Sequence, residues 1–215
     1  SILSVLSMAK PFVVVDGIDG AGKTTQISVV KDYLRKYGDP LQIREPGGTP
    51  LGESIRQLLL DPGNKINQMS ELLLFFAARH QLINDVVLPN LNKRPIIADR
   101  FWPATVAYQG YGRLPDLATS KLLDELVGTV KAKVKPDLFI ILDLPPELAY
   151  ERFTNRGDKD RFEQEQLSFF YRVRQGYQSL VGKEFVSIDC SGTIEETSTK
   201  ILEVLDQHLK GFDYE

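Results

Sequence analysis

The chain has 215 residues, of which 42% are hydrophobic and 26% are charged, a composition typical of one globular α/β domain. Its net charge of -3 provides no positive field to gather a nucleic acid or an anionic membrane face, and no apolar run is long enough to predict a membrane span. The single cysteine, Cys190, excludes an intramolecular disulfide and favours a cytoplasmic location.

Short apolar runs alternate with helical patterns along the chain. Residues 1–10 are interpreted as a flexible leader, so one domain is expected over residues 11–215. Runs of β-branched residues without alternation indicate strands buried on both faces, and five are predicted, at 12–16, 41–44, 95–99, 138–144 and 185–189. Helices are predicted at 23–37, 51–60, 70–91, 104–109, 116–127, 147–154, 160–180 and 194–209. This order predicts an α/β fold with a five-stranded parallel sheet flanked by helices.

A glycine-rich loop follows the first predicted strand. It fits the pattern G-x-x-x-x-G-K-[ST] at every specified position, with the residues Gly17, Ile18, Asp19, Gly20, Ala21, Gly22, Lys23 and Thr24. Backbone N–H groups and the following helix N-terminus cradle phosphates in such a loop, while the lysine reaches the β- and γ-phosphates and the Thr24 hydroxyl binds Mg²⁺. The pattern predicts an ATP-binding P-loop NTPase fold of three layers. A glycine turn with an incidental Lys-Thr pair is the alternative.

The loop alone does not name the reaction. A GTPase is disfavoured because the guanine-reading pattern N-K-x-D is missing, and larger ATP-driven machines normally need a longer chain or a partner domain. A small-molecule phosphotransferase remains.

Two arginines mark a candidate acceptor site. Asp99 and Arg100 end a buried strand at the edge of the sheet where the loop lies, so Arg100 is suited to a phosphate and Asp99 to Mg²⁺, held directly or through water. Phe75 and Arg79 stand four residues apart on one helix face, which would suit a flat base and a phosphate. A structural salt bridge and a core phenylalanine are the alternatives.

The chain resembles the thymidylate kinases. The resemblance runs from about residue 12 to about residue 209 and rests on DGIDGAGKTTQ, REPGGTPLGESIRQLLL, LLLFFAARHQ, ADRFWPATVAYQG and RGDKDRFEQE, in that order. It implies that ATP and Mg²⁺ are used to phosphorylate dTMP to dTDP. It also implies a homodimer.

The resemblance assigns roles to the acceptor residues. Phe75 would stack on thymine, and Arg79 and Arg100 would bind the dTMP phosphate. Thr105 would lie at the base edge, Tyr108 against the sugar and Gln109 close by. Asp19 would approach the acceptor sugar and help to place the metal. Arg44 and Glu45 would line the acceptor phosphate region.

A polar segment at 155–162 is expected to form a mobile lid that brings cations over the transferred phosphate. Because Gly20 follows Asp19, the chain resembles the bacterial-type arrangement, in which the lid supplies the catalytic arginine. Arg156 and Arg161 are the candidates, and the sequence does not decide between them. A solvated polar turn is the alternative.

Two other functions are weighed against this one. A deoxynucleoside kinase would need a carboxylate base for an uncharged hydroxyl, and the second candidate phosphate-binding residue, Arg79, argues against it. An ATP-binding regulatory module without turnover would not need Lys23 or the lid cations. Both are present, which argues against such a module.

Overall fold

The computed structural model describes residues 9–154, 161 and 165–212. Within them, five strands form one parallel sheet in the order β2-β3-β1-β4-β5. The strands are β1 Phe12–Gly17, β2 Leu41–Arg44, β3 Ile96–Asp99, β4 Leu138–Asp143 and β5 Phe185–Asp189. The positions of all five predicted strands are therefore confirmed to within one residue at each end. The prediction that all five are buried on both faces is wrong for β2 and β5, because these are the edge strands of the sheet and keep exposed residues.

The helices surround this sheet. They are α1 Lys23–Leu34, α2 Pro50–Leu60, α3 Gln68–Leu82, α4 Leu88–Asn90, α5 Trp102–Thr105, α6 Leu117–Lys133, α7 Pro146–Thr154, α8 Leu167–Gln178 and α9 Ile194–His208. The predicted α/β fold with a parallel sheet flanked by helices is confirmed. None of the helices in the described ranges is both long and apolar enough to cross a membrane.

Two predicted helices contain wide turns. After α3 the chain continues through a π-helical segment, Ile83–Val87, before α4. After α5 it continues through a second one, Val106–Gly112. A hydrophobic pattern does not distinguish such a turn from an ordinary helix, since the wide turn adds only one residue.

The prediction that a helix starts at residue 160 is wrong. Glu165 and Gln166 are not helical, and α8 begins at Leu167 after an extended Gln166. Arg161 lies in a turn, where its backbone N–H donates to the carbonyl of Leu60 at 3.1 Å instead of to a helical partner. A tertiary hydrogen bond has replaced the helical one.

The sheet forms the centre of the hydrophobic core. All six residues of β1 are buried, as are the first five of β4, because helices cover these central strands. The register aligns Val15 with Asp99, and Asp99 with Arg44. The carboxyl ends of β1, β2 and β3 therefore lie side by side and carry the candidate site.

The predicted leader falls outside the described residues, apart from Ala9 and Lys10. The same holds for the predicted lid at 155–162, of which the structure describes Arg161 alone.

Candidate active site

The glycine-rich loop connects β1 to α1. Gly17, Gly20 and Gly22 have φ angles of 140°, 89° and 83°, in the region that favours glycine. A Cβ on Gly17 would lie 2.3 Å from the carbonyl oxygen of Leu142. These glycines let the loop turn tightly, and Gly22 caps the N-terminus of α1. Thr24 follows in the first turn of α1 with an exposed side chain.

Lys23 and Asp99 meet in the cleft beside the loop. The ammonium group of Lys23 lies 2.6 Å from Oδ1 of Asp99. Burial lowers the pKa of Lys23, and the positive charge of Arg100 adds to the effect. The lysine of the loop and the carboxylate at the end of β3 are thus brought together.

Arg100 is held by the glycine-rich loop and the strand before it. Its guanidinium donates to Asp19 Oδ1 at 2.5 Å, to the carbonyl of Gly17 at 2.9 Å and to Asp16 Oδ1 at 3.1 Å. The backbone of Arg100 has a φ of 69°, a strained value for a residue other than glycine, which is frequent at functional sites. The hydroxyl of Tyr177 donates to the same Asp16 Oδ1 at 2.7 Å.

Asp19 is fixed from two sides. Tyr108 donates its hydroxyl to Asp19 Oδ2 at 2.6 Å, while Arg100 binds the other oxygen. Burial alone would raise the pKa of Asp19, but the charge of Arg100 and the hydrogen bond from Tyr108 outweigh it and keep the pKa below its usual range. Asp16 differs, because its deep burial raises the pKa above the usual range despite Arg100.

One cleft joins the loop to the candidate acceptor residues. Its lining combines the two groups, and its members are Asp19, Lys23, Arg44, Glu45, Pro46, Arg56, Leu60, Phe75, Arg79, Asp99, Arg100, Ala104, Thr105, Tyr108 and Gln109. Every predicted substrate-binding residue therefore lies in the same cleft as Lys23 of the loop. Phe75 is half-buried there, whereas Phe76 packs in the core as predicted.

Arg79, Glu45 and Thr105 form a buried cluster in this cleft. Arg79 Nε donates to Glu45 Oε2 at 2.7 Å, and its Nη2 donates to Thr105 Oγ1 at 2.9 Å. Glu45 Oε1 and Arg79 Nη1 are buried without a hydrogen-bond partner among the described residues. Burial raises the pKa of Glu45 to about 7, against the opposing charge of Arg79. The cluster therefore presents two unsatisfied polar atoms beside the cleft.

The structure adds one cation that the sequence patterns did not single out. Arg56 of α2 lines the cleft, and its Nη1 donates to the carbonyl of Pro46 at 3.0 Å. The charges of Arg44 and Arg100 act on Arg56, although its desolvation by burial is the larger cause of its lowered pKa. The one signal in the sequence that could have indicated Arg56 is that it lies within the motif REPGGTPLGESIRQLLL.

The structure describes one of the two predicted lid arginines. Arg156 is outside the described residues. Arg161 binds Glu71 and the carbonyl of Leu59, and it lines a second cleft together with Glu71 and Arg113. Arg152 of α7 does reach the loop, since its Nη1 donates to the carbonyl of Gly20 at 3.2 Å.

Comparisons with known proteins point to one family. Residues 15–201 match the family model described as Thymidylate kinase. A thymidylate kinase of Neisseria meningitidis serogroup A is 42% identical over 207 residues, which cover 94% of this chain and 98% of the relative. One of Carboxydothermus hydrogenoformans is 42% identical over 175 residues, covering 80% and 85%.

A solved structure agrees with these sequences. The crystal structure of thymidylate kinase from Ehrlichia chaffeensis matches with a TM-score of 0.71 and 34% identity, covering 91% of this chain and 98% of that chain. The residues matched by the family model include the loop and every residue that lines the cleft. The chain belongs to the thymidylate kinase family.

Proposed function

We propose that this protein transfers the γ-phosphoryl group of ATP to dTMP, which yields dTDP and ADP. One observation carries the proposal: the lysine of a phosphate-binding loop and a set of acceptor residues line a single cleft. Two nucleotides bound at its two ends would meet with their phosphates between them, as in-line transfer requires.

The donor binds at the loop. Backbone N–H groups of residues 17–24 and the N-terminus of α1 would hold the phosphates of ATP, with Lys23 beside them. Arg152 already contacts this loop and is a candidate for an additional donor contact. Arg161, the other candidate, is bound to Glu71 in this structure.

Mg²⁺ fits the donor end. The exposed hydroxyl of Thr24 and the carboxylate of Asp99 are hard oxygen ligands of the kind that Mg²⁺ prefers. Among the described residues no cluster of three or more His, Cys, Asp or Glu side chains could hold a metal. That agrees with a metal held largely by nucleotide phosphates and water. When bound, the ion would neutralise charge on the donor phosphates.

The acceptor phosphate is proposed to bind at the cationic end of the cleft. Arg100 lies against the loop, and Arg56 lines the same cleft. A planar guanidinium binds phosphate oxygens through paired N–H donors. The attacking oxygen of dTMP is already anionic, so no general base is required, and these cations stabilise the charge that spreads during transfer.

The base is proposed to bind at the other end, on Phe75. Stacking on an aromatic ring holds any base, so selection must come from the polar edge, where Thr105, Arg79 and Gln109 lie. Glu45 pairs with Arg79 and offsets its charge when Glu45 is ionised. The free Nη1 of Arg79 therefore suits a neutral carbonyl oxygen at least as well as the predicted phosphate.

The test is a coupled assay of ADP release with dTMP, dUMP, dCMP, dGMP, AMP and thymidine. We expect dTMP to be the best substrate and dUMP a poorer one, because a single methyl group contributes about 1–3 kcal/mol. Lys23→Ala serves as the inactive control. Turnover with thymidine alone would identify a deoxynucleoside kinase, and ATP binding without turnover of any acceptor would favour a regulatory module.

The cytoplasmic location and the homodimer belong to the same proposal. The cytoplasmic location is supported by the single cysteine, which is a buried free thiol. The homodimer is supported by the resemblance of the chain to its family. Neither a nucleic acid nor a membrane is proposed as a partner. Light scattering of the purified protein at micromolar concentration distinguishes a dimer from a monomer.

A further inference from the structure

Glu71 is a buried carboxylate on α3 that contacts the cleft residue Gln109. Its side chain is 1% exposed and accepts hydrogen bonds from three residues. Gln109 Nε2 donates to Oε1 at 2.8 Å, Arg113 Nε donates to the same oxygen at 3.1 Å, and Arg161 donates to Oε2. A charge so deeply buried persists only when cations and hydrogen bonds compensate it, and the two guanidinium groups provide this.

The position of Glu71 in the chain connects it to the base site. It lies on α3 one turn before Phe75, so the two share a helix face. Gln109 belongs to the π-helical segment Val106–Gly112 and lines the cleft together with Phe75. Glu71 therefore joins the two elements that hold the predicted base contacts.

Arg161 extends this connection to α2. Besides Glu71, it binds the carbonyl of Leu59 through Nε at 3.0 Å and that of Leu60 through its backbone N–H at 3.1 Å. Leu60 itself lines the cleft. A carboxylate on α3 thus anchors the arginine that was predicted from the sequence to act on the phosphate.

The hydrogen bond to Gln109 has a direction that chemistry fixes. A carboxylate facing two guanidinium groups accepts hydrogen bonds and has none to donate, so the Gln109 amide must turn its NH₂ end toward it. The carbonyl end is then left for the cleft. We propose that Glu71 is a positioning residue, which orients Gln109 for the acceptor base and ties the base pocket to Arg161; this rests on the proposed function.

The first test is Glu71→Gln, assayed with dTMP and with ATP. A glutamine at this position accepts or donates equally well, so the Gln109 amide loses its fixed orientation. We expect the KM for dTMP, and its Kd measured by calorimetry, to rise about tenfold, the loss of about one hydrogen bond. The KM for ATP should change less than about twofold, since the loop does not touch Glu71.

Glu71→Gln leaves the charges of two buried arginines uncompensated and could therefore destabilise the fold. A second variant avoids this loss. Gln109→Leu retains Glu71 and both arginines, and it should raise the KM for dTMP by a similar factor. In the double variant the two effects should not add, because each removes the same interaction. Thr193→Ala is the matched control: it removes the N-cap of α9 and should lower Tm with both KM values unchanged.

The outcomes separate the inference from the proposed function. If the unmodified protein does not phosphorylate dTMP, the proposed function fails. If it does, but Glu71→Gln lowers only Tm or raises both KM values equally, Glu71 serves the fold alone and the inference is overturned. Fully additive effects of Glu71→Gln and Gln109→Leu would overturn it as well.

Discussion

Glu45 is a buried carboxylate whose ionisation should be visible in the stability of the protein. Burial raises its pKa from 4.5 to about 7, so the folded state binds the proton more tightly than the unfolded chain does. The stabilisation of the fold by protonated Glu45 is therefore fully present below pH 4.5. It is lost as the pH rises through about 7, and the free energy of unfolding then decreases by about 3 kcal/mol.

Glu45→Gln should flatten this part of the stability curve. Urea unfolding between pH 4.5 and pH 7 measures the slope, and the comparison with the unmodified protein removes the contribution of Asp16, whose pKa is also raised. Glu53→Gln, at an exposed carboxylate with a lowered pKa, is the control. Parallel curves for Glu45→Gln and the unmodified protein would contradict the role of Glu45.

At the same scale, the sequence indicated most of the residues in the cleft but not their partners. Arg100 was recognisable because it follows a buried strand at the loop edge, which topology places there. The ion pair between Arg79 and Glu45 joins residues 34 positions apart, and no spacing rule predicts it. Glu71 was missed for the same reason, since its hydrogen-bond donors come from other elements.

At the scale of elements, the strand-to-helix turn after β1 requires two of its glycines for different reasons. A side chain on Gly17 would meet the backbone of β4 at 2.3 Å and would also keep a φ of 140°. One on Gly22 meets no atom within 4 Å, although φ is 83°. Gly17→Ala should therefore destabilise by about 3 kcal/mol, and Gly22→Ala by about 1 kcal/mol.

Thermal or urea unfolding without nucleotide measures this difference, and each glycine variant is the control for the other. The comparison uses the protein without ligand, because both glycines belong to the glycine-rich loop and their substitution could also change nucleotide binding. Equal losses of stability would mean that the contact with β4 relaxes and that only the left-handed backbone matters.

Elements with regular patterns were predictable, and the wide turns were not. The central strands β1, β3 and β4 follow from apolar runs because a central parallel strand is buried on both faces, whereas β2 and β5 are edge strands with exposed residues. Tyr108 and Gln109 are neighbours in the chain that both line the cleft, within the π-helical segment Val106–Gly112. This geometry depends on hydrogen bonding around Asp19 and Glu71, which local sequence does not encode.

At the scale of the whole molecule, the sheet brings the proposed donor and acceptor residues to one edge. The loop follows β1, while Phe75 lies on α3 between β2 and β3. The fold could be predicted because alternating strands and helices admit few topologies. The cleft between its ends could be expected only from the rule that ligands bind beyond the carboxyl ends of parallel strands.

Because Lys23 lies on α1 and Phe75 lies on α3, substitutions at these two residues should have opposite effects on stabilisation by the two ligands. A ligand present at about 100 times its Kd adds about 2.7 kcal/mol to the free energy of unfolding, which should raise Tm by about 5 °C or more in a chain of this size. Lys23→Ala should lose the rise caused by a nonhydrolysable ATP analogue with Mg²⁺ and keep the rise caused by dTMP. Phe75→Ala should do the opposite, because Phe75 is the proposed base-stacking residue and is not part of the loop. Differential scanning fluorimetry with each ligand alone measures the rise in Tm of each variant.

If either variant loses the rise in Tm with both ligands, the two nucleotides do not bind independently.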